Sequence, residues 1–254
     1  NLEFKMLILF LTISYSLKVS IDQSEYNGDT YDSILSENSI DVSTIISISV
    51  IEGSFPLNSI SSSYSSLKIL EIPASSYSEG INDELFKDMI SLTNVVINGA
   101  TSIGTSSFEG CTNLESAQFD SCITINSKSF QSCTSLTGLI IPQVTTIGSY
   151  CFKGISIQTL SLNTLTSMSI DGYCFDSCTK LEIIQLDSIE TLPKYAFNGC
   201  TSLHTITCSN VKTINNNCFT SCTNLATITF PNLEIIGDNV FSGIETIIEI
   251  DFPK

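Results

Sequence analysis

The chain has 254 residues, 42% of them hydrophobic and only 14% charged, so it carries enough apolar material for a sizeable core and is not a disordered tail. Its 26 acidic residues outweigh 10 basic ones, all of them Lys, for a formal charge of -16. That balance excludes nucleic acid as a partner, because phosphate must be neutralised by Lys and Arg, and an anionic bilayer surface would repel the chain for the same reason.

Taken in chain order, KMLILFLTISYSLKVS from Lys5 to Ser20 sets a Lys before an apolar run and then small residues. This is the layout of a secretory signal, with Ser14 and Ser16 at the small-residue positions before a cleavage site. Residues 1–20 are expected to be a signal peptide, with a buried N-terminal strand or cap as the alternative. The run from Met6 to Leu17 is short for a bilayer span, Lys18 interrupts it, and no later segment reaches the length of a span. Residues 21–63 predict an acidic leader and a degenerate N-terminal cap. Asp22, Glu25, Asp29, Asp32, Glu37 and Asp41 come without a basic residue between 21 and 41, and residues 43–60 look like a worn coil that could close a stack.

From residue 64 to 254 the chain repeats itself. Phe86, Phe108, Phe130 and Phe152 are each 22 apart, Phe175 follows after 23, and Phe197, Phe219 and Phe241 resume the 22. Counting from each Phe, the sixth, ninth and eleventh positions are apolar, as in Leu92, Val95 and Ile97 or Leu181, Ile184 and Leu186, and so are the fourteenth and seventeenth, as in Val211 and Ile214. The spacing L-x-x-I-x-L fits a short strand with its apolar side inward. One such unit cannot bury that face alone, so the units must stack. The fold predicted is a solenoid of 22-residue coils, with a parallel β-sheet on one face and short strands, turns or 3-10/α segments on the other. SSLKILEIP at 65–73 matches TSLTGLIIP at 134–142, which implies an earlier coil with an insertion before Phe86. The irregular unit at 153–174 predicts a kink or bulge. Ile247, Ile250 and Phe252 restart the pattern before Lys254, so the repeats are expected to continue in a longer protein.

The unit F-x-x-C-T-x-L-x-x-I-x-[FLI]-P-x-[VL]-x-x-I-G-x-x-x-F resembles the BspA-type leucine-rich repeat of surface antigens. The resemblance implies a leucine-rich-repeat solenoid that is secreted or displayed at the cell surface and serves adhesion or partner binding. Where the better-known leucine-rich pattern places Asn, this chain has Ala100, Cys122, Val144, Ile189, Val211 and Leu233. The usual Asn ladder is missing, and packing is expected to replace it.

The ten Cys follow the period too: Cys111, Cys133, Cys178, Cys200 and Cys222 lie three after the Phe, and Cys151, Cys174 and Cys218 one before it. That phase predicts buried free thiols in preference to a bridged ladder. The C-x3-C pairs Cys174/Cys178 and Cys218/Cys222 follow from the same phase, and with His204 as the sole His no zinc site is expected. Cys200 falls inside the coil and His204 outside, so the two do not predict a nucleophile and base. No catalytic residue, metal or cofactor is expected.

What remains is the outward side of the strand, at the seventh, eighth and tenth positions. Its candidate ligand-binding residues are Thr93, Asn94, Glu115, Ser116, Gln118, Thr137, Glu182, Gln185, His204, Thr205, Thr207, Thr227 and Thr229, interspersed with Val96, Ile140 and Ile183. The surface lacks aromatic anchors, so repeated weak contacts to a protein or cell-surface ligand are expected rather than one strong contact. The alternatives are an intracellular scaffold of the same fold, or the repeat region of a protein with an enzymatic domain outside this chain.

Overall fold

The computed structural model describes residues 17–28, 30–245 and 249–251. Most of the expected signal segment, residues 1–16, lies outside the described residues, as do Asp29, Ile247 and Phe252. Residues 17–20 are in a strand: β1 (Leu17–Ile21) pairs antiparallel with β2 (Ser24–Gly28) and with β3 (Ser47–Gly53). The β1–β2 turn is tight because Asp22 and Gln23 are both left-handed, at φ 49° and 69°. The Asp22 carboxylate accepts hydrogen bonds from the backbone N–H of Ile46 and Ser47 at 2.9 and 2.7 Å, tying the hairpin to the chain entering β3.

Helix α1 (Tyr31–Glu37) opens on a capping box in which Thr30 and Ser33 satisfy each other's backbone N–H, and it buries Tyr31 and Ile34. The sequence allows residues 21–41 to be either a solvated leader or an edge-protecting cap. Their described part is folded, with Ile21, Tyr31 and Ile34 in the core.

From β3 onward the sheet is parallel and in register through β4 (Ile69–Ile72), Asn94–Ile97, Ser116–Gln118 and Gly138–Ile140. It resumes as Thr159–Ser161, Ile183–Gln185 and Thr205–Thr207, and again as Thr227–Thr229 beside Glu249–Asp251. A second, shorter ladder of two-residue strands runs from Gly80–Ile81 to Ser167–Met168 and then from Thr191–Leu192 to Ile235–Ile236. In regular coils a strand residue pairs with its counterpart one full period ahead, as Ile125 does with Ile147. Both ladders break at the irregular unit. Ile147 pairs with Met168, one position short of the period, whereas Leu160 pairs with Ile184, two positions beyond it, so a deletion is followed by an insertion and the register slips between them.

The third run of each coil, around the Phe, is neither strand nor helix, yet it is hydrogen-bonded as regularly as the ladders. The residue two before the Phe is left-handed in every coil from Glu84 to Asn239, with φ between 55° and 61°. Another left-handed residue follows two after the Phe, as in Asp88, Ser132, Ser177 and Ser221. This alternation turns every second N–H of the run toward the next coil. The N–H of Lys128, Phe130 and Ser132 donate to Ser149, Cys151 and Lys153 of the next coil at 2.9, 2.8 and 2.8 Å, and other coils repeat the pattern.

Inside this run the Phe rings stack along the axis. Phe86, Phe108, Phe130, Phe152, Phe175, Phe197 and Phe219 are fully buried, and neighbouring centroids lie 4.9–5.8 Å apart. Phe119 and Phe230 lean against that column at 55° and 40°. The sixth-, ninth- and seventeenth-position side chains Leu92, Val95 and Ile103 fill the remainder, as do counterparts in later coils such as Leu114, Ala117 and Ile125, whereas Ile236 of the coil beginning at Phe219 is exposed.

The expected insertion is located by the pairing. Leu70 pairs with Val95, three positions beyond the period, while Ile81 pairs with Ile103 in step with it, so the additional residues lie between Ile72 and Ile81. They push the backbone onto Gly99, where an added Cβ would stand 1.5 Å from the Tyr77 carbonyl oxygen, so no other residue fits.

Left-handed geometry at the exposed Lys128 is set by the axial bonds and not by its side chain. Lys128→Asn, which tolerates φ near 60°, is expected to stabilise the protein by a few tenths to about 1 kcal/mol, and Lys128→Ile to destabilise it by about 1–2 kcal/mol. Urea unfolding midpoints of the two variants check this; equal midpoints would contradict it.

Candidate interaction surface

The strands place the predicted face as a set of aligned columns. Glu115, Thr137, Gln185, His204, Thr205, Thr207 and Thr229 are exposed, Thr93, Asn94, Ser116, Gln118 and Glu182 are half-buried, and Thr227 lies in the strand Thr227–Thr229. Neighbouring coils are linked across the face. The Asn94 amide donates to the Ser116 hydroxyl at 2.6 Å, and in the preceding coils the Ser49 hydroxyl donates to the Glu71 carboxylate at 2.8 Å. The Gln118 amide instead turns to the Asp120 carboxylate at 3.0 Å. The face is not wholly polar, because Ile140 is 51% exposed and Val96 and Ile183 are half-buried in other coils.

Four of the predicted positions come together at one concavity. Where the ladder breaks between Thr205–Thr207 and Thr227–Thr229, His204, Thr205, Thr207 and Thr229 line a hollow of about 360 Å³, with Ile206, Cys208, Ile228 and Pro231. The His204 ring nitrogen Nδ1 shares a hydrogen bond with the Thr205 hydroxyl at 2.9 Å. The remaining predicted residues are spread over other coils and form no single pocket among the described residues.

The thiols are in the interior. All ten Cys are free and buried. The column three after the Phe also does something that packing alone would not: Cys111, Cys133, Cys178, Cys200 and Cys222 donate their S–H to the carbonyl of the preceding coil's Phe at 2.9–3.1 Å. The expectation that packing replaces the missing Asn ladder is therefore corrected. Thiols carry the inward axial bonds, and Asn side chains carry others nearer the rim, as when Asn113 donates to the Ile90 carbonyl and Asn210 to that of Asp187, at 2.8 and 2.6 Å.

Burial pushes the Cys111, Cys122, Cys208 and Cys222 thiols up from 9.0 to about 12, and raises Cys133, Cys151, Cys200 and Cys218 as well. A thiol held protonated and out of solvent is no nucleophile, and no group of His, Cys, Asp or Glu among the described residues is arranged to hold a metal ion.

Sequence reasoning missed one surface feature. Tyr150, Tyr173 and Tyr195, each two before its Phe, stack face to face with centroids 4.7 and 4.6 Å apart. Lys153 lies 5.5 Å from the Tyr150 centroid and is paired with the Asp176 carboxylate at 2.8 Å. The signal was present in the shared phase of the three Tyr, but a single position in a turn reveals nothing about stacking until the turn's geometry is known.

The arrangement defines a parallel solenoid whose variable side chains face outward. The particular family follows from its repeat: a model of the BspA type leucine rich repeat region, in six copies, matches residues 57–169 and 145–254, and the chain belongs to that family. None of the curated proteins matches it. Among solved structures it is similar to the Treponema pallidum leucine-rich repeat protein TpLRR at 21% identity and a TM-score of 0.54, over 70% of this chain and 83% of that one. It is also similar to a leucine-rich repeat protein from Eubacterium ventriosum at 17% identity and a TM-score of 0.50, over 81% of this chain and 67% of that one. These likenesses speak to the fold, which is typically non-enzymatic.

Burial keeps the thiols of Cys111, Cys122, Cys133, Cys151, Cys200, Cys208, Cys218 and Cys222 protonated above the pH at which unfolded ones ionise. Their contribution to stability is thus fully present below pH 9 and is lost as pH rises toward 12. Thermal midpoints are expected to be flat up to about pH 8.5 and to fall steeply above pH 9. Thiol titration should find all ten groups silent in the native protein and reactive in the unfolded, unreduced one. Early reactivity of the native thiols would contradict the burial.

Proposed function

We propose that the protein is a non-enzymatic binding or adhesion module, secreted or displayed at the cell surface, that engages a protein or cell-surface ligand through the outward face of its long ladder. The observation that carries this is the contrast between the two sides of each strand. Inward positions keep one chemistry from coil to coil, whereas outward ones change from Thr93 and Asn94 to Glu115 and Ser116 and on to His204 and Thr205, on a rigid frame that holds them in rows. Membership of the BspA-type family supports a recognition role. The N-terminal layout supports export: a Lys before an apolar run and then small residues, Ser14 and Ser16 among them, is that of a secretory signal. No helix among the described residues is long and apolar enough to cross a membrane.

Partner affinity on this reading comes from many modest contacts. Hydroxyls and amides supply adaptable hydrogen bonds, and the exposed Ile140 supplies apolar area among them. The ten free thiols favour a second reading, an intracellular scaffold kept in a reducing compartment, although burial protects them equally outside the cell.

Two measurements test the proposal. Expressed in its own cell, the chain is expected at the surface or in the medium, and a form lacking residues 1–16 inside; the same internal location for both would favour the scaffold. Fluorescently labelled protein is expected to bind intact cells, with Glu115→Lys and Glu182→Lys together lowering binding about tenfold and Glu234→Lys, beside the short ladder, leaving it unchanged. Equal binding by all three would remove the long ladder as the contact face.

A further inference from the structure

In a repeat protein the places where the period fails are where a specific site can be built, and the insertion between Ile72 and Ile81 is such a place, on a different part of the molecule from the long ladder's outward face. The inserted residues 73–80 stand away from the coil before them and leave a concavity of about 320 Å³, walled by residues 54–59 on one side and 75–79 on the other. The two walls are tied together at the base, where the Phe55 N–H donates to the Ser76 carbonyl at 2.9 Å.

The hollow is built rather than incidental. Its floor is the buried Phe55, Leu57 and Tyr77. The Tyr77 hydroxyl donates to the Gly80 carbonyl at 2.6 Å and accepts from the Asn58 amide at 3.3 Å, while the Asn58 oxygen accepts from the Asn82 N–H at 3.3 Å. Tyr77 and Asn58 are thereby held in fixed orientations. Ser76, which lines the hollow and is 2% exposed, has a hydroxyl oxygen with no hydrogen-bond partner.

The lining selects a ligand class. Around the rim stand the exposed Ser54, Ser75, Ser78 and Glu79, with no basic residue, so an anion would meet only the Glu79 carboxylate. An apolar molecule would strip water from these hydroxyls without replacing it. A polyhydroxylated neutral molecule matches them, because each of its hydroxyls can donate to a carboxylate or amide oxygen and accept from a serine or an amide N–H. The volume lies at the small end of the range of about 300–1,000 Å³ for ligand sites, which suits one ring and not a chain.

We propose that this hollow binds a single neutral pyranose, a hexose or N-acetylhexosamine residue at the exposed end of a glycan. Asn58 and Glu79 hold its hydroxyls, and the rim serines Ser54, Ser75 and Ser78 supply further donors and acceptors.

The purified chain would be titrated with the methyl glycosides of neutral hexoses and N-acetylhexosamines, with sialic and glucuronic acids as anionic counterparts, followed by saturation-transfer NMR and calorimetry. At least one neutral glycoside is expected to bind saturably, with a dissociation constant on the order of 1 mM, and the acids not to bind. Ser75→Trp, which fills the hollow from its exposed wall, is expected to abolish binding. Glu79→Gln, nearly isosteric and exposed, is expected to weaken it about tenfold, and Glu234→Lys to leave it unchanged. Circular dichroism melts identify any variant that fails to fold, in which case Glu79→Gln alone decides. Binding by no neutral glycoside, tighter binding by the acids, or binding that Glu79→Gln leaves intact would each overturn the proposal. None of these results would touch the long-ladder reading, which is read on cells.

Discussion

The structure depends on the axial hydrogen bonds of the run around each Phe. With left-handed residues two before and two after the Phe, the N–H groups of those two residues and of the Phe between them, three alternate residues, all meet carbonyls of the next coil. Each left-handed residue other than Gly costs about 1–2 kcal/mol, and each bond returns about 1 kcal/mol net, so the two effects nearly cancel. What decides in favour of the fold is the buried ring that the turn encloses. A Phe taken wholly out of water stabilises by about 1.5–3 kcal/mol before any gain from stacking on its neighbours. The strained turn is tolerated because it is the geometry that brings one Phe over the next.

The same demand explains the thiols. In five coils the position three after the Phe holds a side chain that is small, compatible with an apolar interior, and able to satisfy a second lone pair on the neighbouring coil's Phe carbonyl; Met89, Ile155 and Ile244 take the position with packing alone. Cys meets all three requirements: its S–H donates weakly, and its burial costs little. Five of the ten interior Cys are thus part of the axial bonding, and burial of all ten keeps the surface free of reactive sulfur.

Much of this was legible in the sequence, and what was not has a physical reason. The 22-residue period and the inward columns of Phe, Leu and Ile could be read because burial selects one kind of side chain, and the insertion before Phe86 because it shifts that pattern. The left-handed column could not, since its residues run from Glu84 through Ser106 and Lys128 to Tyr150, and what they share is a backbone angle imposed by neighbours. The thiol bonds were hidden for a similar reason: phase puts Cys200 inside but does not say which carbonyl it faces. On the strand face the sequence identified the outward residues, while the hollow beside His204 arises from a break in pairing that no residue announces.

The central claim is that each coil is stable only through its neighbours, by way of the Phe column. Native-state hydrogen exchange of Phe175→Ala, resolved by coil, tests it most directly. Protection should fall most in the coils next to residue 175, those beginning at Phe152 and Phe197, and fall progressively less toward Phe86. A loss confined to the substituted coil, or spread evenly from residue 86 to 241, would contradict the account.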